Sequence, residues 1–303
     1  MKRVFLFLVI GLLSILKVTA QQTIPLYADS IPNSTGYKME EKPIVRHDTI
    51  IGYRQVSEPL LYVYSPSDET RNGTAVIICP GGSYYFEDIL SDGFQIAETF
   101  AKHGVTAFVL KYRLPSDLIM RDKSIGPLQD AQQAIKIVRE RAKEWKLDVT
   151  KIGIMGFSAG GHLAASAATH FDTAFIPDKE GTSLRPDFAV LIYPVISFKE
   201  GLAHKGSMDL LLGKNPTEKQ INYFSSEQQV TRQTPPMWLT HASDDRTVPV
   251  ENSIRFYEAL IKNKVAAEMH LYPKGDHGFV FKQPTEVWMH PLFIWMRKND
   301  WMK

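Results

Sequence analysis

The 303-residue chain holds a single cysteine, Cys79, no marked excess of either charge, and no long apolar run beyond its first twenty residues. One cysteine cannot close an internal disulfide or build a cysteine-based zinc site, so stability has to come from an apolar core. At the end of the run Val76-Ile77-Ile78, Cys79 reads as a small buried hydrophobe. A formal net charge of +2 leaves no electrostatic footprint for nucleic acid. Neither G-x-x-x-x-G-K nor G-x-G-x-x-G occurs, and no His, Asp and Glu share a metal-ligand spacing, so neither a cofactor nor a metal is expected.

What is present is a globular composition. Hydrophobic residues make up 44% and charged residues 22%, enough apolar surface to offset the entropy of an ordered chain. Lys2 and Arg3 precede the mostly apolar run 4–16, and Val18-Thr19-Ala20 supplies small residues before Gln21. This reads as a secretory signal peptide over 1–20, because the run is shorter than the ~20 residues a bilayer core demands. Its removal takes Lys2, Arg3 and Lys17 and moves the formal charge from +2 to −1. The expectation is a secreted or periplasmic domain over 21–303 with no membrane partner in the mature form.

A polar leader, 21–43, is followed by two short strand-like segments, 49–56 and 60–64, broken by Ser57-Glu58-Pro59 and expected to form a hairpin. From Thr74 onward, short β-branched runs alternate with amphipathic stretches. Strands are predicted at 75–79, 105–110, 151–155, 188–193, 236–240 and 267–272, and helices at 93–103, 128–145, 158–170, 250–263 and 284–297. This alternation implies an α/β fold, a mostly parallel central sheet flanked by helices on both faces in three layers. The segment 197–234 interrupts the rhythm and reads as an insertion, either a small cap or a set of surface helices.

The segment Gly156-Phe157-Ser158-Ala159-Gly160 is a G-x-S-x-G motif between a strand and a helix. A serine on such a turn projects its hydroxyl above the sheet, and its neighbours must be small where the backbone crowds. A serine nucleophile needs a base and an orienting acid, and in this architecture they follow as Ser, then Asp or Glu, then His. Asp245 follows the strand 236–240, and His277 follows the strand 267–272, so all three reach one rim of the sheet, where α/β sheets bind ligands. Donors for an oxyanion are expected from the Gly82 or Ser83 amide, in the loop after strand 75–79, and from the Ala159 amide.

Six segments together resemble the α/β-hydrolase fold serine esterases, and among them the secreted bacterial carbohydrate esterases of the acetylxylan-esterase type. They are Pro80-Gly81-Gly82-Ser83-Tyr84, Leu110-Lys111-Tyr112-Arg113-Leu114-Pro115, Pro127-Leu128-Gln129-Asp130-Ala131, Gly156-Phe157-Ser158-Ala159-Gly160-Gly161-His162-Leu163, Asp245-Arg246-Thr247-Val248-Pro249 and Gly275-Asp276-His277-Gly278-Phe279. The resemblance implies Ser158 as nucleophile, His277 as general base and acid, Asp245 as orienting carboxylate, and an acylated carbohydrate as substrate. Relatives often carry a third glycine where this chain has Ser83.

Asp244 competes with Asp245, and the D-x-x-V-P spacing favours the latter. His162 and His241 read as packed or hydrogen-bonded in place, and Asp276 as a turn cap. Arg113 and Asp130 read as a surface charge pair, with the orienting of loops at the site as the alternative. Tyr84, Tyr85 and Tyr193 are candidate pocket walls. Rival functions are a prolyl-oligopeptidase-like peptidase, a feruloyl esterase, a short-chain lipase, and a non-catalytic glycan-binding protein.

Overall fold

The computed structural model describes residues 22–303. The leader expected over 1–20 lies outside the described residues, as does Gln21. In chain order the strands are β1 Gln22–Pro25, β2 Lys42–Arg46, β3 Thr49–Arg54, β4 Leu60–Tyr64, β5 Ala75–Cys79, β6 Thr106–Lys111, β7 Ile152–Phe157, β8 Ala189–Ile192, β9 Met237–Ala242 and β10 Ala267–Tyr272. The α-helices are α1 Gln95–Lys102, α2 Gly126–Glu140, α3 Ser158–Thr169, α4 Lys205–Leu212, α5 Glu218–Tyr223, α6 Glu251–Lys262 and α7 Thr285–Lys298.

Eight strands form one sheet in the order β1-β4-β6-β5-β7-β8-β9-β10. From β6 to β10 every neighbour is parallel, while β4 pairs antiparallel with β6 and with β1. Strands β5 to β9 are buried at every residue. A strand covered on both faces must be apolar throughout, and Ala75-Val76-Ile77-Ile78-Cys79 meets that demand. Ile77 and Cys79 pack with Ile135 of α2, Leu163 of α3 and Phe256 of α6. Val76 and Ile78 point the other way, toward Phe100 of α1 and Trp288 of α7. The period of two along β5 therefore divides the apolar side chains into two cores, one on each face of the sheet.

The amino-terminal part differs from the expected hairpin. β3 pairs with β2, with Pro43 opposite Tyr53, in a separate two-stranded sheet, while β4 enters the main sheet between β1 and β6. Burial explains the separation: Leu61 and Val63 of β4 belong to the core, whereas β3 buries only Gly52 and has little apolar surface to place there. The polar leader supplies β1, whose Ile24 reaches the same core.

The segment 197–234 folds as α4, α5 and a short 3₁₀ turn at Ser226–Gln228. Phe198, Leu211 and Phe224 anchor it to the core, and two carbonyls tie it to α3: Phe224 O accepts from His162 Nε2 and Tyr223 O from His170 Nε2. Among the described residues no helix is long and apolar enough to cross a membrane.

Candidate active site

β7 passes into α3 without an intervening loop, and Ser158 stands at the junction with φ 51°, in the left-handed region that non-glycine residues seldom adopt. The turn is tight enough to require glycine on both sides. A methyl group at Gly156 would lie 2.0 Å from the Gly160 carbonyl oxygen, and one at Gly160 would lie 2.2 Å from the Cys79 carbonyl oxygen. Any larger residue would push α3 off the ends of β5 and β7. Phe157 caps the helix without a side-chain acceptor, so the Ala159 amide, in the first turn, has no intrahelical partner.

His277 follows β10, and its Nε2 accepts from the Ser158 hydroxyl at 3.0 Å. Its Nδ1–H donates to Asp245 Oδ2 at 2.7 Å, which fixes the tautomer that leaves Nε2 as acceptor. Asp245 follows β9 and is itself surrounded by donors. Oδ1 accepts from the Thr247 and Val248 amides, both at 2.9 Å, and Oδ2 also accepts from His241 Nε2 at 3.1 Å. Burial alone would raise the carboxyl pKa. The bonds from His241, His277 and the Val248 amide outweigh it and hold Asp245 well below the usual carboxylate range, hence ionised.

Two contacts lock the loops that carry His277 and Asp245. The Ser243 amide donates to Tyr272 O at 2.7 Å, and Asp244 Oδ1 accepts from the Asp276 amide at 2.7 Å. Asp276 in turn pairs with Arg246 and accepts from the Arg246 amide at 3.0 Å. Asp244 and Asp276 thus hold the loops together, and only Asp245 reaches the imidazole. Tyr193 packs its ring 4.7 Å from that of His277.

The loop after β5 lies against the serine: a methyl group at Gly81 would sit 3.2 Å from Ser158 Cβ. Its first three carbonyls are held. Pro80 O accepts from Tyr112 Oη at 2.8 Å, Gly81 O from the Asp88 amide at 3.0 Å, and Gly82 O from the Tyr85 and Phe86 amides at 2.9 and 3.1 Å. The Gly81 amide donates to Asp92 Oδ2 at 2.7 Å. Burial, reinforced by Asp88, lifts the Asp92 pKa well above the usual range against the pull of the Gly81 amide. The Gly82 and Ser83 amides have no acceptor among the described residues. Ser83 and Tyr84 take φ 59° and 61°, so the serine that replaces a glycine adopts the glycine-like conformation. Tyr84 is held there by its hydroxyl, which donates to His162 Nδ1 at 2.9 Å while His162 Nε2 donates to Phe224 O at 2.8 Å.

Arg113 and Asp130 correct the surface reading. Their side chains are 1% and 0% exposed and form a closed cluster beneath the rim, with Arg113 Nη2 2.7 Å from Asp130 Oδ1 and Tyr27 Oη donating to the same carboxylate at 2.9 Å. His241 proves to be a partner of Asp245, with Nδ1 accepting from Ser253 Oγ at 2.8 Å. Asp92 had no signal in the sequence, because a π-helical turn at Ile89–Phe94 brings it under Gly81. Among the described residues no group of three or more His, Cys, Asp and Glu is arranged to hold a metal ion.

The BD-FAE family matches residues 61–260, and the dienelactone hydrolase family matches 218–303. An acetylxylan esterase of Xylanibacter ruminicola is 38% identical over 70% of this chain and 42% of its own length, and an endo-1,4-beta-xylanase B of Butyrivibrio fibrisolvens 37% over 73% and 34%. The chain thus spans less than half the length of these two curated relatives. A crystal structure of an acetyl ester-xyloside bifunctional hydrolase from Caldicellulosiruptor lactoaceticus superposes with a TM-score of 0.77 at 34% identity, covering 93% of this chain and 98% of the other. Esterase 2 of Thermogutta terrifontis in its apo form superposes with 0.69 at 25% identity, over 91% and 98%. The chain belongs to the BD-FAE family and has the α/β-hydrolase fold of these esterases.

Proposed function

We propose that the protein is a serine hydrolase of carboxylic esters that removes acetyl groups from xylan or related plant polysaccharides and their oligosaccharides. The observation that carries this reading is the hydrogen-bonded chain from Ser158 Oγ through His277 to Asp245, beside a loop whose Gly82 and Ser83 amides are unpaired. Ser158 Oγ attacks the ester carbonyl carbon as its proton passes to His277 Nε2. The Gly82 or Ser83 amide and that of Ala159 hold the oxyanion, Asp245 stabilises the imidazolium, and the sugar alkoxide leaves with the His277 proton. Water, deprotonated by His277, then attacks the acyl-enzyme, and the carbon–oxygen bond to Ser158 breaks as His277 returns that proton to Ser158 Oγ, releasing acetic acid.

The polysaccharide and the acetyl group are supported by the relatives' names: the two curated relatives name xylan, and one of them and the solved structure name an acetyl group. The leader over 1–20 supports export to the periplasm or the medium, where such polymers are met. The test is a matched panel of acetyl, butyryl and feruloyl esters, acetylated xylan and a prolyl-amide peptide, with Ser158→Ala alongside. Acetate release from xylan that disappears in the variant is the expected result. Cleavage of the peptide with silence on every ester would overturn the proposal in favour of a peptidase.

A further inference from the structure

Beside the loop that carries Gly82 and Ser83, a cleft of about 370 Å³ has Lys42, Arg54, Gln55, Tyr85, Leu118 and Leu210 among its lining residues. Its position follows from the chain. Gly81 abuts Ser158, and Tyr85 is four residues on in a turn closed by its own amide on Gly82 O. Even fully extended, four residues span less than about 14 Å, so the cleft lies within a few sugar lengths of the serine.

Its electrostatics are one-sided. Lys42 and Arg54 are register partners directly opposite each other across β2 and β3. Like charges in that position destabilise a strand pair, and among the described residues no acidic side chain lines the cleft to offset them. The neighbouring Glu41 is turned away to Lys111 Nζ at 2.6 Å. Among the described residues Lys42 has no side-chain partner, while the Arg54 guanidinium braces the Tyr85 ring at 4.9 Å and Tyr85 stays 54% exposed. An exposed aromatic ring suits the apolar face of a pyranose, and two unopposed cations suit a carboxylate.

Resting on the carbohydrate reading above, we infer that this cleft is a subsite for a uronic acid on the oligosaccharide whose ester Ser158 attacks. Tyr85 is the stacking face, and Lys42 and Arg54 are the carboxylate's partners.

Calorimetric binding to the full chain tests this without any turnover, using xylotriose and the same trisaccharide bearing one glucuronic acid, neither acetylated. The acidic sugar should bind about threefold to tenfold more tightly at low salt, the range two exposed charge pairs supply. The preference should collapse near 0.5 M NaCl and in the double variant Lys42→Gln with Arg54→Gln, and persist in Lys42→Arg. Tyr85→Ala should weaken both sugars. Equal affinity for the two sugars, or a preference the double variant leaves unchanged, would overturn the subsite. Hydrolysis of p-nitrophenyl acetate by the same proteins separates the two readings. If wild type cleaves no ester yet keeps the charge-dependent preference, the hydrolase assignment fails and the subsite stands.

Discussion

Two buried carboxylates, Asp130 and Asp245, are each ringed by donors, yet their networks end differently. Asp130 takes the Arg113 amide, its Nε and Nη2, and the Tyr27 hydroxyl. The remaining Arg113 donors go to Pro32 O, Gly126 O and Gln129 Oε1, so the cluster closes on itself. Asp245 takes two amides and two imidazoles, but one of those rings, His277, keeps 23% of its side chain exposed and passes the chain on to the Ser158 hydroxyl. A buried charge network whose hydrogen bonds all end on neighbouring protein groups ties the rim together. One that runs through a partly exposed imidazole to the Ser158 hydroxyl is arranged to move a proton.

That contrast sets the order of expected effects. Ser158→Ala should lower ester hydrolysis by about 10⁴- to 10⁶-fold, with circular dichroism and the melting temperature near wild type. Asp245→Asn should lower kcat by about 10⁴-fold by admitting the wrong imidazole tautomer; a loss of only tenfold would mean the network does not orient His277.

At the closed cluster the expected effect is on stability. Asp130→Ala strands a buried guanidinium and should cost about 3–5 kcal/mol in urea unfolding, whereas Arg113→Met combined with Asp130→Leu should cost much less. Equal costs would break the comparison, since the cluster would then contribute more than its own internal match.

His162 sharpens it with a pH effect. Burial, only partly offset by its bond to Phe224 O, depresses its pKa to about 4, against an unfolded value near 6.5. The unfolded chain therefore binds more protons between those values, so stability falls as pH drops from about 6.5 to about 4, by about 3 kcal/mol from this group. Urea midpoints at pH 7 and pH 4.5 should show that decline in wild type and a shallower one in His162→Phe. An identical slope in both would place the titration elsewhere.

The parallel core was legible in the sequence because strands covered on both faces must be continuously apolar, a constraint written into residues such as Val76, Ile77 and Ile78. The pairing of β2 with β3 was not, since it depends on which of several short strands has apolar surface to bury. Ser158, Asp245 and His277 could be named from their order along the chain and from the turn residues around them. Their distances could not, nor could the support from His241, Asp92 and Tyr112, whose polar atoms meet partners 4 to 32 residues away.

By itself the sequence determined the alternation of elements, the strained serine turn that Gly156 and Gly160 permit, and which loops leave the carboxyl ends of their strands. Those are local or periodic properties. Only the tertiary structure decided that Arg113 is buried rather than exposed, that His241 shares the carboxylate of Asp245, and that Lys42 stands opposite Arg54 beside Tyr85. Burial and charge pairing depend on residues far apart in the chain, which packing alone brings together.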